Sequence, residues 1–508
     1  MGKYVEECRR KEEQHRRLQQ RIEEQCHRLG HGLPVTRRDF LGRGLISGMG
    51  MVLAPTMSTL LAKQAHAECD LTTLLAGAGK IPFISIDQGG GANIAGSNVM
   101  VGSLGQENFL SPQGYAKLGL PEALIPDTVG IDRTFGIAMH PNSAMLRGML
   151  DKTSAATQAG TNGVVIPARS DNDTGNNPHN PVYGIAQAGA NGQFAAAVGS
   201  RNTDSGGRSD VPGYMLDPAL RPVKVSNSNE AVSLAGGDDG DFPSGEVAAA
   251  AAIISDLKLG KVTVAEATRE LVQCGYDKSS ATFNTAITAT EIDPNLDTDL
   301  QTIFPNGELN DGDFRKAAAV MKTVISGYAG SGTIEYGGRD YHQNPRSETD
   351  EQDFVVGQVI GATLEYAQLS GKPVMIYVFS DGSVSTDANN EDDDGNGVTK
   401  LRWQSDNSQT AASAIFVYSP VGRPVLSGEA LNTNQLGTFT MDGNVNRASS
   451  PFANNVTSLA EMVVLNYLGL HNQTAMFGEQ VLPNNGLGRG VNLGQYVAFE
   501  PIVQNVIA

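Results

Sequence analysis

Asp340 and His342 stand two residues apart in "GTIEYGGRDYHQNP", after a short apolar run that meets two glycines. A carboxylate and an imidazole at a strand end are a common start for a metal site, because one loop then offers both oxygen and nitrogen lone pairs. Four other apolar runs carry comparable residues. "KIPFISID" closes on Asp87 and passes through three glycines to Asn93. "GVVIPA" leads into "RSDNDTGNNPHN", which holds Thr174 and His179. "KPVMIYVFS" meets Asp381, and "SAIFVYS" follows "WQSDNS", which holds Asp406. In an open parallel sheet, ligands gather beyond the carboxyl ends of the strands, so these residues are expected to converge on one rim. A donor set of oxygen and nitrogen without thiolate suits Zn²⁺, Mn²⁺, Mg²⁺ or Ca²⁺. A second acidic stretch, "NNEDDDGNGV", matches the first half of a calcium loop through Asn390, Asp392, Asp394 and Gly395. Leu401 stands where the bidentate glutamate belongs, which excludes an EF-hand and leaves a weak Ca²⁺ loop or a solvated acidic loop.

The elements that must position these residues alternate in type. Apolar runs at 80–87, 163–168, 332–337, 372–380 and 413–419 read as strands, the fourth continuous enough for a sheet buried on both faces. Helical periods lie between them. Asp313 is the expected cap of the helix beginning "FRKAAAVMK", Thr349 and Gln352 form a capping-box pattern before "EQDFVVGQVIG", and Thr457 opens "SLAEMVVLNYL". Strand, helix, strand at these lengths predicts right-handed βαβ units and a mostly parallel sheet. Residues 206–309 are expected to form a helical insertion between the two parts of the α/β domain, 68–205 and 310–475. The stretch 476–508 has no strong period and reads as a segment that wraps the surface.

The chain of 508 residues carries 55 Asp and Glu against 37 Lys and Arg, a formal charge of −18. Such a surface repels phosphate backbones and argues against nucleic-acid binding. The first 67 residues are different. "TRRDFLGRG" places Arg37-Arg38 before a modestly apolar run from Leu45 to Leu61, and Lys63 and "AHA" follow. The order matches a twin-arginine (Tat) signal peptide with a mature start near Glu68, behind a charged extension over 1–30. The apolar run holds Pro55 and is short for a span, so no stable transmembrane segment is expected. The Tat translocase is the expected partner during export, and the destination is the periplasm or the medium. The mature chain keeps Cys69 and Cys274, open as one disulfide or as two separate thiols.

Taken in order, "ISIDQGGGAN", "FGIAMHPNSAMLRGMLD", "ARSDNDTGNNPHN", "GGRDYHQN", "YVFSDGS" and "SDNSQTAASAIFVYSP" resemble a Tat-exported family related to the sulfatase and alkaline phosphatase superfamily. The resemblance implies an alkaline-phosphatase-like three-layer sandwich with a divalent metal at the strand ends, and hydrolysis of a phosphate or sulfate ester. Asp340 and His342 match the family's Asp-x-His, Asp381 the next acid, and His140 and His179 two further positions. Three positions depart from the pattern: the acid after the glycines is Asn93, with Asp87 nearby, Asp381 is followed by Gly382, and Asp406 by Asn407. The implied metal ligands are Asp87, Asn93, Asp340, His342, Asp381 and Asp406. Thr174 or Ser170 is the candidate nucleophile, and His179 lies beside the reacting group. The competing expectation is a relative that has lost ligands and serves in binding or in assembly of the cell envelope.

Overall fold

The protein, here as a computed structural model, is described over residues 79–170, 177–235, 289–488 and 492–503. The twin-arginine segment, Cys69, Cys274 and most of the expected helical insertion lie outside these residues. A seven-stranded sheet forms the centre, in the order β2 (Thr161–Pro167), β9 (Ala412–Tyr418), β6 (Val374–Ser380), β1 (Phe83–Gly89), β5 (Ala329–Gly337), β3 (Ala195–Gly199), β4 (Val223–Lys224). Every pairing is parallel except those of β9, which runs against both β6 and β2. The expectation of a mostly parallel sheet is met at this level, and "SAIFVYS" is its single reversed strand.

Alternation along the strands splits the core in two. Ile84, Ile86, Ile376 and Val378 face one way and pack with α1 (Ala144–Lys152), α3 (Gly312–Ile325) and α4 (Arg346–Leu369). Phe83, Tyr377, Phe379 and Ile415 face the other way and pack with α2 (Val182–Gln187) and α5 (Val456–Leu470). The result is an α/β sandwich with helices on both faces of the sheet. α5 is buried almost throughout, in keeping with "LAEMVVLNYLGL", which has no polar face. α1 and α4 approach unusually closely. A Cβ at Gly148 would strike the Phe354 carbonyl, one at Gly357 the Met145 carbonyl, and one at Gly361 would stand 2.7 Å from the Met149 carbonyl oxygen.

Several boundaries differ from those expected. Asp311, not Asp313, caps α3, accepting from the Asp313 amide at 2.8 Å. α4 starts at Arg346, with Pro345 as its extended N-cap residue, so Thr349 lies inside the first turn. Asn455, not Thr457, caps α5. For α3 and α5 two capping residues lie close together, and the earlier one takes the cap. The segment after Gly478 does more than wrap the surface: Val481, Leu482, Leu487, Val497 and Phe499 are buried against α5.

The acidic stretch at 389–398 belongs to a two-stranded hairpin, β7 (Val384–Asp393) and β8 (Thr399–Asp406). Its acids serve the fold. Asp394 is buried and accepts from the Asn396 and Val398 amides at 2.8 and 3.1 Å, while Asp392 accepts from the Arg346 amide at 3.0 Å. Lys400 lies between Asp350 and Asp394, and Arg346 contacts Asp350 at 2.9 Å, with its guanidinium 4.5 Å from the Trp403 ring. All four charged groups are buried, and burial lowers the Lys400 pKa. Removing one member of such a network leaves its partners uncompensated. Asp350→Ala is therefore expected to lower the unfolding free energy by about 3–5 kcal/mol in urea titrations, and a loss under about 1 kcal/mol, the range of an exposed pair, would show the network to be solvated.

Candidate functional site

Asp87 leaves β1 on the α5 side of the sheet and is completely buried. Its carboxylate is met by the loop 205–209, "SGGRS". The Arg208 and Ser209 amides donate to Oδ2 at 2.7 and 2.8 Å, and the Ser209 hydroxyl donates to Oδ1 at 2.8 Å. The glycines are a steric condition of this approach. A Cβ at Gly207 would stand 2.5 Å from Asp87 Oδ2, and one at Gly89 would collide with the Arg208 side chain that lies over it.

Asp381 follows β6, the neighbour of β1, and is also buried. Its Oδ1 accepts from the Gly90 amide at 2.6 Å, and its Oδ2 lies 3.8 Å from Arg208 Nε. Arg208 thus places its amide on one buried acid and its guanidinium beside the other. Burial pushes the Asp87 pKa up to about 7; the Ser209 donors oppose the shift and the negative charge of Asp381 adds to it. Ser380 ties the glycine loop to β6, accepting from the Ala92 amide at 2.9 Å and donating to the Gln88 carbonyl at 2.7 Å. Asn93 turns toward the hairpin, where its Nδ2 donates to the Val384 carbonyl at 2.9 Å and its Oδ1 has no partner.

Asp340 and His342 form an outer layer. His342 Nδ1 pairs with Asp406 Oδ2 at 2.9 Å, and both side chains are substantially exposed. The Asp340 carboxylate accepts from the His342 amide at 3.0 Å, which shapes their common loop. Gly90 joins the two layers. With a φ of +138° its amide reaches Asp381, and a Cβ there would fall 2.6 Å from the Asp340 amide nitrogen, so glycine is required. His179 is buried and its ring stacks on Phe379 with centroids 5.7 Å apart and planes at 7°. Thr174 lies outside the described residues. Ser170 is buried with its hydroxyl unpartnered. His140 is structural: its Nε2 donates to the Leu124 carbonyl at 2.7 Å, its Nδ1 accepts from the Asn142 amide, and burial pushes its pKa down to about 4.

The sequence pattern brings Asp87 and Asp381 together, and pairs His342 with Asp406. It does not bring all six expected ligands to one point. Among the described residues no three His, Cys, Asp or Glu side chains gather as a metal-holding group. Asp87 already accepts three protein hydrogen bonds on its two oxygens, and the Arg208 guanidinium lies beside Asp381. The 205–209 loop was missed because it falls at the border of the stretch read as a helical insertion. Its signal is present in "SGGRS", a glycine pair that exposes successive amides to an anion. No family model matches the chain, and no curated protein and no solved structure is significantly similar to it.

The raised Asp87 pKa has a definite sign in stability. The unfolded carboxyl loses its proton near the ordinary value of 3.8, while the native one keeps it to about 7. Native protein therefore holds the extra proton between those values, and stability falls as pH rises through this window and levels off above it. Urea titrations from pH 5 to pH 8 are expected to show stability falling more steeply in the wild type than in Asp87→Asn, by at most about 1.4 kcal/mol per pH unit. Both proteins share a background from Asp353, whose pKa burial raises to about 6. Equal slopes in the two proteins would mean that Asp87 is ionised throughout.

Proposed function

We propose that the chain is a Tat-exported protein of the alkaline phosphatase and sulfatase type that acts outside the cytoplasm by binding, assembly of the cell envelope included, and not by metal-dependent ester hydrolysis. Two features support the fold part of this reading: the mostly parallel sheet between helical layers, and the placement of Asp87 and Asp381 at the carboxyl ends of adjacent central strands. One observation carries the functional part. Both oxygens of the Asp87 carboxylate accept from Arg208 and Ser209, and Arg208 Nε lies 3.8 Å from Asp381, so the inner acids are met by the protein's own donors. Among the described helices none is long and apolar enough to cross a membrane, consistent with a mature chain without a stable span.

The second reading, a phosphate or sulfate ester hydrolase, draws on the His342–Asp406 pair. A carboxylate on Nδ1 fixes the tautomer and orientation of the imidazole, which suits proton transfer or metal ligation at Nε2. In that reading Asp381 and His342 are the decisive residues.

Metal analysis of the mature exported protein separates the two. After incubation with Zn²⁺, Mn²⁺, Mg²⁺ or Ca²⁺ and removal of the excess, the binding reading expects less than about a tenth of a metal per chain, and no turnover of aryl phosphate or aryl sulfate. One metal per chain, with ester turnover abolished in Asp381→Ala and His342→Ala while the thermal melt is unchanged, would establish the hydrolase instead.

A further inference from the structure

A cavity of about 500 Å³ opens at the other edge of the sheet, where β1, β3, β5 and β6 begin. That volume falls within the range of small-molecule sites. Lys80 and Lys372 both line it. Their placement follows from register: Phe83 of β1 pairs with Met375 of β6, and each lysine precedes its member of that pair by three residues. Adjacent strands lie about 4.8 Å apart, so the two backbones start side by side. The ammonium groups then turn to opposite faces of the sheet, Lys80 toward Gln473 beyond α5 and Lys372 toward the end of α3. A chain of net charge −18 has acids to spare for compensation of both lysines. None is used here. Lys80 donates to the Gln473 side chain and Lys372 to the Ile325 carbonyl at 2.8 Å, and among the described residues neither has a carboxylate partner. Burial pushes the Lys80 pKa down to about 8 and lowers that of Lys372, which Lys322 lowers further, so the cavity holds positive charge at a cost.

The other polar groups of the cavity are also incomplete. Asn191 is buried with no partner for Oδ1, and Gln193 has a buried Nε2 with none. Unmet buried donors and acceptors each cost about 1–3 kcal/mol, which a ligand of matching chemistry recovers. Ile81 and Val324 supply apolar wall. We propose that this cavity is a binding site for a small organic oxyanion with an apolar body, its carboxylate or phosphate met by the lysines of the lining, Lys80 and Lys372, and its remaining polar atoms by Asn191 and Gln193. The site is independent of the strand-end rim and does not rest on the reading given for it.

Calorimetric titration of the full mature chain with octanoate, citrate and inorganic phosphate tests this. Binding of at least one probe at one site per chain is expected, weakening as NaCl is raised. The double variant Lys80→Gln, Lys372→Gln should bind about tenfold or more weakly, a loss of about 1.4 kcal/mol or more, and Lys80→Arg, Lys372→Arg should retain binding. Should the double glutamine variant fail to fold, Lys372→Gln alone and the salt dependence of the wild type carry the test. Absence of binding by all three probes would overturn the proposal. So would equal affinity in a folded glutamine variant, or binding that appears only after deletion of residues 504–508, which would give the cavity to the chain itself.

Discussion

A carboxylate buried at the end of a central strand constrains everything around it. Asp87 sits where β1 leaves the sheet, and an ionised acid there is costly unless the protein supplies its hydrogen bonds. The 205–209 loop does so, and it can approach only because Gly207 has no side chain. Arg208 extends the same contact across Gly89 to Asp381 on the next strand. One loop therefore fixes two strand ends, and the glycine run 89–91 takes its path from them. The positions of Asp340 and of its loop follow through Gly90.

A second buried charge cluster does comparable work for the hairpin. Lys400, Asp350, Arg346 and Asp394 draw β8 onto the first turn of α4, and Trp403 covers the guanidinium. The hairpin carries Asp406 at its last residue, so the outer His342–Asp406 pair is placed by charges beneath it. The two layers of the rim thus have separate supports. Gly90 is where the two meet.

Much of this was legible in the sequence, and the reasons for success and failure are physical. Continuous apolar runs identified β1, β2, β5, β6 and β9, because a strand covered on both faces has no polar alternation to hide it. The carboxyl-end rule then placed Asp87 and Asp381 together. β3, with "AAAVG", lacked bulk, and β4 is two residues long. β7 was hidden by its own acids, since "NNEDDDGNGV" has the composition of a loop and becomes strand only through the inward-facing partners of β8, Leu401 and Trp403. The role of Asp87 was legible as a position and not as a chemistry. Whether an acid binds a metal or is consumed by amides depends on a loop some 120 residues away in sequence, which local pattern does not report.

The reversal of β9 has a consequence for how this architecture can vary. β6 ends at Ser380 and β9 begins at Ala412, and because the two run in opposite directions both points lie at the same end of neighbouring strands. Everything between them, the hairpin and its acidic turn included, leaves the sheet and returns to it at one doorway. A parallel successor to β6 would instead require a crossing back over a helical layer, with its length set by the width of the sheet. Here the turn of the hairpin can lengthen or shorten while every strand keeps its register, provided that Lys400 and Trp403 still cover Asp350 and Arg346.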